Sequence, residues 1–135
     1  MLAFEEREYR DRIANARKRM AADGIDVMLC SNPANMCYLT GYDGWSFYVH
    51  QLVILTANDN EDPVWVGRGM DANAAKVTTF LPDENVISYS DDYVHSKVKH
   101  PLEFVGGLLK ERGLDKAKIG AEMDTFYFPA RSLLA

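Results

Sequence analysis

Apolar residues recur along this chain in two alternating rhythms, and the changes between them mark out its elements. From Phe4 to Ala22, the residues Tyr9, Ile13, Ala16 and Met20 follow at helical steps and draw one apolar stripe. Glu5, Glu6 and Glu8 near the start, and Arg17, Lys18 and Arg19 near the end, suit the helix dipole, and Gly24 supplies the stop. Ile25 to Cys30 is a continuous apolar run, the pattern of a strand covered on both faces. Asn32 followed by Pro33 is a helix start, so Pro33 to Thr40 is predicted helical up to Gly41. Gln51 to Thr56 is the next strand, and a polar turn over residues 57–62 returns it to Pro63–Val66 as a hairpin partner. A weak helix over Asp71 to Thr78, a strand over Asn85 to Tyr89, a helix over Pro101 to Arg112 and a strand over Lys118 to Glu122 follow. Phe128 to Ala135 begins something helical.

Strands alternating with helices, interrupted by one hairpin, imply an α/β sandwich with a mixed sheet. Its 135 residues fit one domain, and 47% hydrophobic with 26% charged residues exclude disorder. A net charge of −5 leaves no basic footprint for nucleic acid. No apolar run approaches the ~20 residues that a bilayer requires. The N-terminus is charged from its fifth residue, unlike a secretory signal, so a cytoplasmic location is expected. Cys30 and Cys37 lack metal-binding spacing and read as two buried free thiols. The last residues, ARSLLA, stop without a cap, as expected of a piece of something longer.

Complete catalytic motifs are missing: there is no GxGxxG, Walker loop, HExxH or GxSxG. Gly67-Arg68-Gly69 reads as a turn, His95 and His100 as surface histidines, and Asp71 as a helix N-cap. Glu122 and Asp124 are too few to hold a metal and read as structural hydrogen-bonding groups. The unusual stretch is the loop from Gly41 to His50, where Asp43, Trp45, Phe47, Tyr48 and His50 are the candidate substrate-binding residues. One reading has Trp45 and Phe47 merely capping an end of the sheet. Alternation would then put Phe47 and Val49 on one face, with Tyr48 and His50 on the other. The other reading makes these residues an aromatic wall with polar tips, suited to a small cationic or heterocyclic ligand, with Arg68 and Asp71 as further candidates for the same edge.

The helix motif EYxxRIxxARxxM, the run GIDVMLCSNPANMCYLTGY and the closing KIGAEMD together resemble the N-terminal domain of creatinase/prolidase-family proteins. The most specific part is NxxYLTGY, from Asn35 through Tyr38, Leu39, Thr40 and Gly41 to Tyr42. The resemblance implies a three-layer, ribonuclease H-like α/β domain, its mixed sheet flanked by helices, ahead of a larger "pita-bread" catalytic domain. In metal-dependent relatives that second domain binds two divalent metals. No catalytic residue, metal ligand or cofactor is therefore expected in this chain. Its expected partners are its own C-terminal catalytic domain, a second subunit in a homodimer, and a small-molecule substrate toward which the loop reaches. Creatinase carries Phe-Gly-Arg in this loop. Phe47 matches the Phe but Val49 stands at the Arg, which removes the carboxylate clamp and disfavours creatine.

GYDGWSFYVHQ, with GRGMDAN downstream, is most similar to the ectoine hydrolase branch, which opens a cyclic amidine by C–N hydrolysis. Two alternatives remain open. One is the N-terminal domain of an Xaa-Pro aminopeptidase or dipeptidase. The other is a non-enzymatic peptide- or histone-binding module, because the same fold resembles a domain in the large subunit of the FACT histone chaperone.

Overall fold

The computed structural model describes residues 1–135. In chain order the elements are α1 (Glu6–Asp23), β1 (Val27–Cys30), α2 (Pro33–Thr40), β2 (Leu52–Thr56), β3 (Val64–Arg68), α3 (Ala72–Thr78), β4 (Val86–Tyr89), α4 (Pro101–Glu111), β5 (Ile119–Ala121) and α5 (Ala130–Leu134). The strands form one sheet in the order β4-β3-β2-β1-β5. The β1–β2 and β2–β3 pairs are antiparallel, whereas β3–β4 and β1–β5 are parallel, so the sheet is mixed.

Period-two alternation divides the central strands between two cores. Cys30, Val53, Leu55 and Trp65 face α1, α2 and α3, where they meet Ile13, Met20, Met36, Leu39 and Ala75. Val27, Leu29, Leu52, Ile54, Val64 and Val66 face α4, through Leu102, Val105 and Leu109. This explains the continuous apolar runs: both faces of β2 are covered, and all five of its residues are buried. No helix is long and apolar enough to cross a membrane.

Several local expectations are corrected by tertiary contacts. Gly67 and Arg68 do not turn the chain; they extend β3, opposite Ser88 and Tyr89 of β4, and the short 3₁₀ segment begins only at Gly69. Glycine at 67 is required because a Cβ there would lie 2.4 Å from the Trp65 ring, which folds over it. The basic cluster of α1 falls short of the last turn, so its role is not to complement the dipole. Arg17 instead reaches across to the carbonyls of Thr56 and Glu61, at 2.9 and 2.5 Å, and ties α1 to the β2–β3 turn. Cys30 is buried and its thiol is pushed up to about 12, first by burial and then by Glu122. Cys37 is only half-buried, against the expectation of two buried thiols.

Glu122, just past β5, closes the fold. Its Oε2 accepts from the backbone N–H groups of Ser31 and Asn32, both at 2.7 Å, and its Oε1 accepts from the Asn35 amide. The carboxylate therefore sits at the N-terminus of α2, where unpaired N–H groups and the dipole favour an anion. Replacing Glu122 by Ala is expected to cost about 2 kcal/mol in urea unfolding, because charge-assisted bonds to a helix start are lost. Glu122→Gln, which keeps an acceptor without the charge, should cost less than the alanine variant.

Candidate functional site

The loop that follows α2 is anchored at several points before any side chain is left for a ligand. Thr40 Oγ1 donates to the Met36 carbonyl at 2.8 Å and accepts from the Tyr42 N–H at 3.2 Å. Gly41 ends α2 at φ 83°, and a Cβ there would lie 2.9 Å from Leu2 and 3.0 Å from the Thr78 carbonyl. Tyr42 then turns into the core against Trp65, with ring centroids 5.4 Å apart. Its hydroxyl donates to Gln51 Oε1 at 2.7 Å, joining the two ends of the loop. Burial pushes the Tyr42 phenol up, so it remains a protonated donor. Midway, the Ser46 hydroxyl donates to Asp71, and at the far end the Tyr89 hydroxyl donates to the His50 carbonyl.

What remains outside is a row of rings. Trp45 is 82% exposed, Tyr48 59% and Phe47 41%. Trp45 and Phe47 meet edge to face at 5.3 Å, Phe47 and Tyr48 at 6.4 Å, and Phe47 and Tyr127 at 6.2 Å. Three of the five candidate residues are thus brought together as a wall, and Trp45 does not cap the sheet. Asp43 is exposed nearby, with no hydrogen bond or ion pair to its carboxylate; its backbone N–H reaches Thr78 Oγ1 at 3.4 Å.

His50 stands apart from the wall. The expected alternation fails because Ser46 to Val49 closes a turn, with the Val49 N–H on the Ser46 carbonyl at 3.1 Å, and Val49 is buried while Phe47 is not. The half-buried His50 ring packs against His100 at 4.7 Å and lies 3.4 Å from Ser132 Oγ. Burial, then His100, then Arg131 hold His50 down to about 4, so the ring is neutral at pH 7. His100 is not a surface histidine: it is buried, and its Nδ1 accepts from the Leu102 N–H at 3.2 Å to cap α4. His95 is exposed, as expected.

Asp71 makes no N-cap bond; its carboxylate holds Ser46 instead and so steadies the loop's base. Arg68 is engaged by Asp91 through two bonds of 2.8 and 2.9 Å, and Asp71 and Tyr48 lie near enough to its guanidinium to act on it electrostatically. No three His, Cys, Asp or Glu side chains form a group that could hold a metal ion. Sequence reasoning missed Gln51, Ser132 and Tyr127, and read the buried His100 as a surface group. Only Gln51 left a signal, as a polar residue opening an otherwise apolar strand.

Comparison with known proteins adds four matches. The family model for the creatinase/prolidase N-terminal domain matches residues 12–133. The chain is 45% identical over 132 residues to the ectoine hydrolase of Halomonas elongata, covering 97% of this chain and 33% of that protein. Among solved structures, the dipeptidase PepE of Mycobacterium ulcerans superposes with a TM-score of 0.68 at 20% identity, over 97% of this chain and 32% of that one. The creatinase/prolidase N-terminal domain of an X-Pro dipeptidase from Streptococcus pyogenes superposes with a TM-score of 0.64 at 17% identity, over 93% and 84%. The chain spans about a third of the length of the curated relatives it matches.

The buried imidazole makes stability depend on pH. An unfolded histidine takes up its proton near pH 6.5, whereas folded His50 resists it down to about 4. The stability tied to its neutral form is fully present above pH 6.5 and is lost as the pH falls through this window, by roughly 3 kcal/mol at most. His100, lowered for the same reason, acts with the same sign. Urea midpoints should therefore fall from pH 6.5 to 4, and His50→Phe should flatten the dependence.

Proposed function

We infer the function of this chain from one premise: it belongs to the creatinase/prolidase family, as an N-terminal domain. The chain is proposed to be the non-catalytic, substrate-side domain of a C–N hydrolase. It contributes to dimerisation and presents its aromatic loop to the active site of a partner subunit. The observation that carries this reading is the wall of Trp45, Phe47 and Tyr48, held on a tethered loop yet left open to solvent. Rings that stabilise a core are covered by it, whereas rings held rigidly outside one are suited to contact something else.

The proposed parent protein hydrolyses a cyclic amidine, as an ectoine hydrolase. The 45% identity to the Halomonas protein across nearly the whole chain supports that branch. The physical chemistry agrees, because an amidinium-like ring is attracted to exposed aromatic faces. A dipeptidase reading rests on structural likeness at 20% identity or below, which carries the fold and leaves the substrate open. In the proposed parent the larger domain would supply the metal ligands and activate the water, and this chain would orient the substrate and exclude solvent.

The test separates turnover from folding. In the full-length parent, Trp45→Ala should lower kcat/KM for ectoine at least tenfold while leaving the thermal midpoint within about 1 °C, because a ring so exposed contributes little to the core. Equal losses in activity and stability would return Trp45 to a packing role. The 135-residue chain alone should not hydrolyse ectoine or an Xaa-Pro peptide with added Mn²⁺, Co²⁺ or Zn²⁺. Turnover by the isolated chain would overturn the proposal.

A further inference from the structure

Residues 48–50 of the loop, the connection that precedes α4 and the start of α5 enclose a cavity of about 210 Å³. Trp45 and Phe47 are not among its walls; Tyr48 alone is shared with the aromatic row. His100 lines this cavity and carries the donor that folding leaves over. Only 5% of the residue is exposed. Its Nδ1 accepts from the Leu102 N–H at 3.2 Å, so the neutral ring holds its proton on Nε2. That Nε2–H has no hydrogen-bond partner within the fold, yet it is not among the polar atoms sealed from solvent. Burial, then Arg131, hold the imidazole below its ordinary range, so at pH 7 it is a neutral donor. A nearly buried donor facing an open cavity, without an acceptor, calls for one from outside.

The charges around the cavity specify that acceptor. Arg131 lines it from α5, and its guanidinium has no acidic partner among the ion pairs of the fold. It lies near enough to His50 and His100 to act on both rings, which pack on each other at 4.7 Å. Lys99 also lines the cavity, but Asp92 holds it, and it sits over the Tyr93 ring at 5.2 Å. Glu103 acts on His100 from α4 with the opposite sign to Arg131. Neither Asp92 nor Glu103, nor any other acidic residue, is part of the lining. One free cation therefore stands beside one neutral donor. The fork of a guanidinium matches the two oxygens of a carboxylate, and one cation balances a single negative charge. A phosphate dianion would bring a second charge that no free cation meets. Val49, Val94, Pro101 and Pro129 complete the walls with apolar surface, which suits a short aliphatic body.

We propose that this cavity binds a small monocarboxylate with a short aliphatic body, its oxygens taken by the Arg131 guanidinium and the His100 Nε2–H. Trp45 and Phe47, proposed above to meet an amidinium-like ring, lie outside these walls, so the two readings place opposite charges at separate positions. The groups that hold the carboxylate all come from one chain. The site needs neither a second subunit nor a metal, so it stands or falls apart from the function proposed above.

The test uses the ¹⁵N-labelled 135-residue chain at pH 7 and constant ionic strength, with isobutyrate, the isosteric uncharged isobutyramide and inorganic phosphate as probes. Isobutyrate should saturably shift the His100 Nε2 signal and the backbone signals of Val94 to His100 and of Arg131. Isobutyramide should bind about tenfold more weakly, for want of the charge, and phosphate more weakly than isobutyrate. Arg131 is exposed, so Arg131→Gln should leave the thermal midpoint within about 1 °C of the parent's while lowering isobutyrate affinity about tenfold. Absence of saturable shifts, equal affinity for isobutyramide, tighter binding of phosphate, or unchanged affinity in Arg131→Gln would each overturn the proposal.

Discussion

One carboxylate sets the geometry on which the loop depends. Glu122 follows the edge strand β5 and gathers Ser31, Asn32 and Asn35, residues about ninety positions earlier in the chain. It fixes where β1 hands over to α2, and α2 is only eight residues long. A helix that short is marginal by itself, so its position must come from its ends and from tertiary contact. At its start it has the Asn32 cap, Pro33 and the Glu122 anion; at its end, Gly41 in the left-handed conformation. The aromatic loop begins at that glycine, and a shift of α2 would carry the wall with it.

This gives physical meaning to the most recognisable stretch of the sequence. Within NxxYLTGY, Asn35 binds Glu122, Leu39 fills the core, Thr40 and Gly41 close the helix, and Tyr42 reaches Gln51. Tyr38 lies half-exposed under the Arg12 guanidinium at 4.7 Å. None of these residues belongs to the wall, and all but Tyr38 hold α2 or the start of the loop in place. The family signature here is scaffold, and the surface proposed to meet a substrate is the less recognisable segment beside it. Two of the three motifs that carry the resemblance, the Asn35 stretch and IGAE, are joined by hydrogen bonds through Glu122, so they form one physical unit.

The element order was legible because it rests on local rules: apolar periodicity, Pro33 after a capping Asn32, glycines after helices. The boundaries of α2 were read without error for that reason. The misreadings share a different cause. Gly67 reads as a turn until the Trp65 ring is seen folded over it, and Asp71 reads as a cap until Ser46 arrives from 25 residues away. His100 reads as a surface group until His50 packs on it from the other side of the domain's sequence. In each case a polar or small residue took a partner that no local window contains. The wall itself was legible in composition, because four rings in seven residues are too many for a connecting loop. Its exposure was not, since that depends on the tethers at Gln51, Asp71 and Tyr89.

Those tethers and the exposed rings are separate sets of side chains, and the separation bears on how a site of this kind works. Leaving a Trp largely in water forgoes roughly 2 kcal/mol that burial would have contributed. The fold offsets that by covering Tyr42, Trp65 and Val49 beneath the same loop. The loop is held by side-chain bonds at its ends and its middle, so its rings do not have to be ordered when a ligand arrives. Ordering a side chain costs about 0.5–1.5 kcal/mol each on binding, and a wall already in contact with itself escapes much of that cost. Changes at the tethers would act through the position of the rings, and changes at the rings through contact alone. A flexible loop of the same composition would blur the two, because every substitution would alter both the order of the loop and the surface it presents.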